Sequence, residues 1–116
     1  MTWTIEYFDL DDFGKFLDSL KAPASNDAVK DHLFLLSAYG LNLLATNKMK
    51  SLGGGLFELR VRKPPELLVR IFVTMLHPRR LVVLSAYNKL SDNSDLRQRR
   101  EIKKARKIID ALNGRQ

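Results

Sequence analysis

From Gly53 to Leu90 the sequence has room for little other than three β-strands joined by tight connections. Gly53-Gly54-Gly55 opens into Leu56-Phe57-Glu58-Leu59-Arg60-Val61-Arg62, where Phe57, Leu59 and Val61 alternate with Glu58, Arg60 and Arg62. A period of two marks a strand with one face in a core and the other polar. Pro64-Pro65 cannot continue a hydrogen-bonded ladder and predicts a turn. Leu67 to Leu76 is then apolar apart from Arg70 and Thr74, the pattern of an interior strand covered on both faces. His77-Pro78-Arg79-Arg80 leads into a last strand, Arg80 to Lys89. The result is an antiparallel meander with arginines standing on one face.

The flanks supply helices. Trp3, Ile5 and Tyr7 alternate with polar residues as a strand does. Asp9 to Asp12 offers capping oxygens and negative charge to a helix start, and Phe13, Phe16, Leu17 and Leu20 follow at helical spacing. Pro23 is expected to stop that helix, with Ser25 or Asn26 capping a second whose stripe is Val29, Leu33, Leu36 and Tyr39. Gly40 ends it, Leu41 to Ala45 fits a short helical turn, and Asn47 to Gly55 reads as a basic loop. After the meander, Ser94 or Asp95 caps a helix with the stripe Ile102, Ala105, Ile109 and Leu112. An α+β fold in one domain over residues 1–116 follows. The N-terminal strand and the three-strand meander form an antiparallel sheet, two N-terminal helices pack on one face, and a basic helix ends the chain. The face opposite those two helices is expected to be a shallow binding surface.

Charge is unevenly spread. The formal total is +7, yet residues 1–31 carry −4 and the stretch from Ser94 onward carries +5. A basic centre and tail suit a polyanionic partner such as nucleic acid, while a solvated helix face is the plainer explanation of the tail. There is no cysteine, which excludes disulfides and thiolate metal sites and fits a reducing cytoplasm. The opening residues lack the pattern of a secretion signal, and no apolar run reaches membrane-spanning length. With two histidines far apart, His32 and His77, no metal site is expected.

The ordered set Leu52-Gly53-Gly54-Gly55-Leu56-Phe57-Glu58-Leu59-Arg60, Arg70, Tyr87-Asn88-Lys89 and Arg100-Glu101-Ile102 resembles a known family. It is similar to the RelE/ParE superfamily of type II toxin–antitoxin toxins, in particular the HigB-like, phage-protein-related branch. Leu90 stands where that branch carries a second basic residue, and no C-terminal tyrosine lies near Leu96. The resemblance implies a RelE-like fold and an endoribonuclease, an mRNA interferase acting on the ribosome without metal or cofactor. It implies as partners mRNA, the ribosome and a cognate antitoxin of helix-turn-helix type. Two other outcomes stay open: a ParE-like toxin that inhibits gyrase, or a catalytically inactive relative acting through protein contacts.

Attack of a 2′-hydroxyl on the adjacent phosphate needs a base, cations for the growing charge, and an acid for the leaving oxygen. Arg60 and Arg70 are the candidates for clamping phosphate, and Lys89 for proton transfer, since clustered positive charge lowers a lysine's pKa. Arg62, Tyr87, Arg97, Arg100 and Lys104 are candidate RNA contacts; for Tyr87 a core position competes with base stacking. Glu58 is either an alternative base or the salt-bridge partner of Arg60 or Arg62. His77 is either an acid or a surface turn residue, and His32 reads as a half-buried structural histidine. An arginine such as Arg70 in an apolar strand must meet an anion or open onto a cleft.

Overall fold

A computed structural model describes residues 2–63 and 67–114, so the Pro64-Pro65 turn lies outside the described residues. The order is β1 (Thr4–Tyr7), α1 (Leu10–Ser19), α2 (Pro23–Tyr39), a 3-10 helix (Gly40–Ala45), β2 (Met49–Gly53), β3 (Leu56–Lys63), β4 (Leu67–His77), β5 (Arg80–Asn88) and α3 (Asp95–Asn113). Asp9 caps α1 by accepting from the Asp12 amide at 3.0 Å. Pro23 does not merely stop α1. It is the first residue of α2, where its missing N–H would have no helical partner anyway. Asn26 lies inside α2 and donates to the Leu17 and Leu20 carbonyls, 2.9 Å each, closing the end of α1.

The five strands form one sheet in the order β1-β5-β4-β3-β2. The meander is antiparallel as the alternation predicts, but β1 runs parallel to β5, so the sheet is mixed. Alternation marks a strand without giving its direction. Glu6 on β1 accepts two hydrogen bonds from Arg80 on β5, both 3.0 Å, across this parallel pair. The expected loop before β3 contains an additional strand, β2, paired antiparallel with β3. Gly54 and Gly55, with φ of 62° and 80°, make the tight turn between them. At this edge Lys50 and Ser51 are exposed, so β2 lacks the apolar signature of a buried strand.

Helices α1 and α2 cover one face, where Phe13, Val29 and Leu36 meet Leu59, Val61, Ile71 and Val83. The opposite face is not free. Ala105 and Ile109 of α3 pack there against Leu56, Phe72, Val82 and Leu84. Among the described residues the sheet is therefore sandwiched, with its margins beyond α3 left as surface.

Gly40 ends α2 at φ 54° and ψ −135°, a conformation open to glycine, and a Cβ there would overlap the Trp3 indole. Trp3 is held in place by its amide, which donates to the Ser37 carbonyl at 2.7 Å. Gly40→Ala is therefore expected to lower stability by about 2–4 kcal/mol, from backbone strain plus displacement of the indole. Urea unfolding measures it, and an unchanged midpoint would contradict this account.

Candidate functional site

The β3–β4–β5 register places Arg60 opposite Arg70, and Arg70 opposite Tyr87, so the three side chains share the α3 face of the sheet. Glu58 stands one side-chain position away on β3, opposite Phe72, which in turn pairs with Ser85. Glu58 is 1% exposed and Arg70 7%. Its Oε1 accepts from Arg60 Nε at 2.8 Å and lies 3.5 Å from Arg70 Nε. The arginine in the apolar strand has thus met its anion, and Glu58 is the salt-bridge partner of Arg60 and Arg70 rather than of Arg62. Burial draws the Arg70 pKa down and Glu58 opposes that shift; a guanidinium remains cationic in either case.

Four buried polar atoms in these two rows have no hydrogen-bond partner among the described residues: Glu58 Oε2, Arg70 Nη1, Ser85 Oγ and Tyr87 OH. Such atoms are scarce in folded proteins, and their concentration in one patch marks it as more than packing. Tyr87 is itself buried, stacked on Phe72 with ring centroids 6.2 Å apart, and Arg97 lies 5.1 Å from its ring centre. The position available to a stacking base is therefore filled, and the core reading of Tyr87 is the one observed. Burial and, next, the Glu58 charge raise its phenol pKa above the usual 10. Ser94 caps α3 by accepting from the Arg97 amide at 3.1 Å, which sets Arg97 in the first turn over Tyr87.

Beside this patch the sheet edge opens. β2 begins at Met49 opposite Leu59, so Arg60 to Lys63 extend past its start. There a cleft of about 230 Å³ is lined by His32, Asn47, Lys48, Arg60 and Arg62. Among the described residues three cations, an imidazole and an amide line it, and no carboxylate does. The His32 Nδ1 lies 2.9 Å from the Ala28 carbonyl. A carbonyl only accepts, so Nδ1 carries the proton and Nε2 is the basic nitrogen of the neutral ring. Residue pattern does not single out His32, Asn47 and Lys48, because helical spacing puts His32 among core positions and Asn47 to Gly55 has the composition of a basic loop.

Other candidates sit elsewhere. Lys89 follows β5, its amide donating to the Leu68 carbonyl at 2.8 Å, and its side chain does not line the cleft. His77 ends β4, exposed, seven residues from Arg70 and so about 23 Å along the strand. That distance removes it as an acid for chemistry at the arginine row. Arg100 and Lys104 face a different groove, beside Phe8. Among the described residues no helix is long and apolar enough to cross a membrane, and no three His, Asp or Glu side chains gather as a metal-binding group.

The family model for phage-derived Gp49-like proteins (DUF891) matches residues 15–110. No curated protein matches the chain. The matched span runs from α1 to the last turn of α3 and contains the whole arginine row and cleft. The chain belongs to the Gp49-like family of phage-derived proteins, a RelE/HigB-like toxin family associated with toxin–antitoxin systems.

Proposed function

We propose that the protein is an mRNA interferase toxin whose reaction takes place at the open sheet edge. The observation that carries this reading is the cleft whose described lining is Lys48, Arg60, Arg62, Asn47 and His32, three of the five being cations. Such a lining suits the phosphodiester of RNA. Arg60 is anchored by its Nε to Glu58, which leaves its two terminal nitrogens for phosphate oxygens. Arg62 is exposed and adds a second cation. In the proposed reaction the 2′-oxygen attacks phosphorus, its proton passes to His32 Nε2, and the P–O5′ bond breaks. The departing 5′-oxygen takes a proton from the Lys48 ammonium, leaving a 2′,3′-cyclic phosphate and a 5′-hydroxyl. Arg70, buried, holds Glu58 and through it Arg60; it positions rather than grips. The partner that silences such a toxin is a cognate antitoxin.

The test is expression in cells followed by mapping of RNA 5′ ends. Cuts at fixed positions within codons of translated messages are expected, and Arg60→Ala should reduce them by about 10²–10³-fold, the usual loss on removing one transition-state donor. Intact messages with damaged or relaxed DNA would instead support a gyrase-directed toxin. One observation favours that second reading: Leu90, at the position of a second basic residue, is 44% exposed.

Tyr87 separates structure from function. Its hydroxyl has no partner among the described residues, so Tyr87→Phe is expected to leave stability at pH 7 within about 1 kcal/mol. Because the folded phenol has a raised pKa, its contribution is fully present below pH 10, the usual value, and is lost as pH rises through the folded pKa. Tyr87→Phe should therefore weaken the alkaline loss of stability. Tyr7, also raised by burial, would account for what remains. Urea unfolding at pH 7 and above pH 10 checks both points.

A further inference from the structure

On the flank of α3 nearest β1 runs a groove of about 500 Å³. Its floor is apolar, formed by Phe8, Ile108 and Ala111, and its walls carry Arg100, Lys103, Lys104 and Lys107. Phe8 follows β1 directly and is 41% exposed. The helical residues fall at positions 100, 103, 104, 107, 108 and 111, one continuous stripe about 16 Å long. The nearest carboxylates of α3 are engaged elsewhere: Glu101 accepts from Arg97, and Asp110 faces the opposite flank with Gly54 and Arg106. β1 is three strand spacings from β3, so the groove is roughly 14 Å from the strand that carries Arg60 and Arg62. It is a second surface, independent of the cleft.

We propose that this groove docks an acidic amphipathic α-helix of a protein partner. The charge complement is direct, since four cations surround the floor and, among the described residues, no anion lines it. The apolar stripe decides between protein and RNA. A phosphate backbone is bound by cations alone and gains nothing from an aliphatic floor. Single-stranded bases need successive aromatic platforms, and Phe8 is the single aromatic in the lining. A helix with leucines at i, i+4 and i+7 and carboxylates on either side satisfies floor and walls together. The lysine stems add apolar surface while their ammonium groups reach the partner's acids.

The proposal is tested on the full chain with a displayed library of 16-residue amphipathic helices whose polar positions are randomised. Enriched sequences are expected to be acidic, and a resynthesised binder should shift the backbone amides of Phe8 and of residues 100–111. Lys103→Glu/Lys107→Glu should weaken it at least tenfold. Phe8→Ser should weaken it severalfold, and both variants should keep the wild-type circular dichroism. A decamer of uridylate should not displace it. Enriched helices without acidic bias, equal binding to the charge-reversed variant, or displacement by uridylate would overturn the proposal, the last by making the groove an RNA track. Shifts in these amides on raising protein concentration alone, with no peptide, would also overturn it in favour of a second copy of the chain.

Discussion

Glu58→Ala is expected to lower the folding free energy by about 3–5 kcal/mol, the cost of leaving a buried guanidinium without its counter-charge. The carboxylate is buried on β3 between Arg60 Nε at 2.8 Å and Arg70 Nε at 3.5 Å. Arg60 is partly exposed and can turn to water, but Arg70 cannot, so most of the penalty falls on Arg70. The double change Glu58→Ala/Arg70→Met should recover most of the loss, because it removes both desolvated charges and keeps the volume in β4. Four urea unfolding curves complete the cycle. A single-variant loss below about 1 kcal/mol would mean that the pair behaves as a solvated one. On the proposed interferase reading, RNA cleavage should fall in both the single and the double variant even where stability recovers, because Arg60 loses the anchor at its Nε.

Phe72→Ala should cost about 3–5 kcal/mol as well, by the loss of a large core ring and the cavity it leaves. Its effect is expected to be local. Phe72 is fully buried and central to the smaller of the two cores, the one that α3 closes with Ala105 and Ile109. The other core, under α1 and α2, draws on Phe13, Val29, Leu36 and Ile71 and does not involve that ring. Apart from its apolar stripe, α3 is tied to the sheet by Arg106, which donates to the Leu52 and Gly53 carbonyls at 3.0 and 3.1 Å. Native-state hydrogen exchange should therefore show α3 amides losing protection well before those of β4. Equal loss throughout would mean that the two cores unfold as one.

The arginine row shows how far residue pattern reaches. Alternation in β3 puts Glu58, Arg60 and Arg62 on one face, and the structure agrees. That Arg70 joins them depends on which residue of β4 stands opposite Arg60, and a slip of one position would have turned it to the other face. That Arg70 is a buried partner of Glu58, and not an exposed clamp, depends further on α3 covering that side. The cleft was less legible still. It exists because β2 stops short of β3, and β2 is an edge strand whose pairing, not whose composition, makes it a strand.

From sequence alone came the three strands from Leu56 onward, the helices with the caps of α1 and α3, the face that carries the arginines and the likeness to RelE/HigB-like toxins. These are local or ordered properties: side-chain periodicity, capping oxygens and turn residues act within a few positions of one another. The expected Ser25 or Asn26 cap of α2, by contrast, gives way to Ala22 with no side-chain cap. Tertiary structure alone decided the parallel seat of β1, the covering of the second face by α3, the enclosure of Glu58 with Arg70, and the meeting of His32 with Lys48, Arg60 and Arg62. Each of these joins residues distant in the chain, and their proximity is set by how elements pack to bury both faces of one sheet.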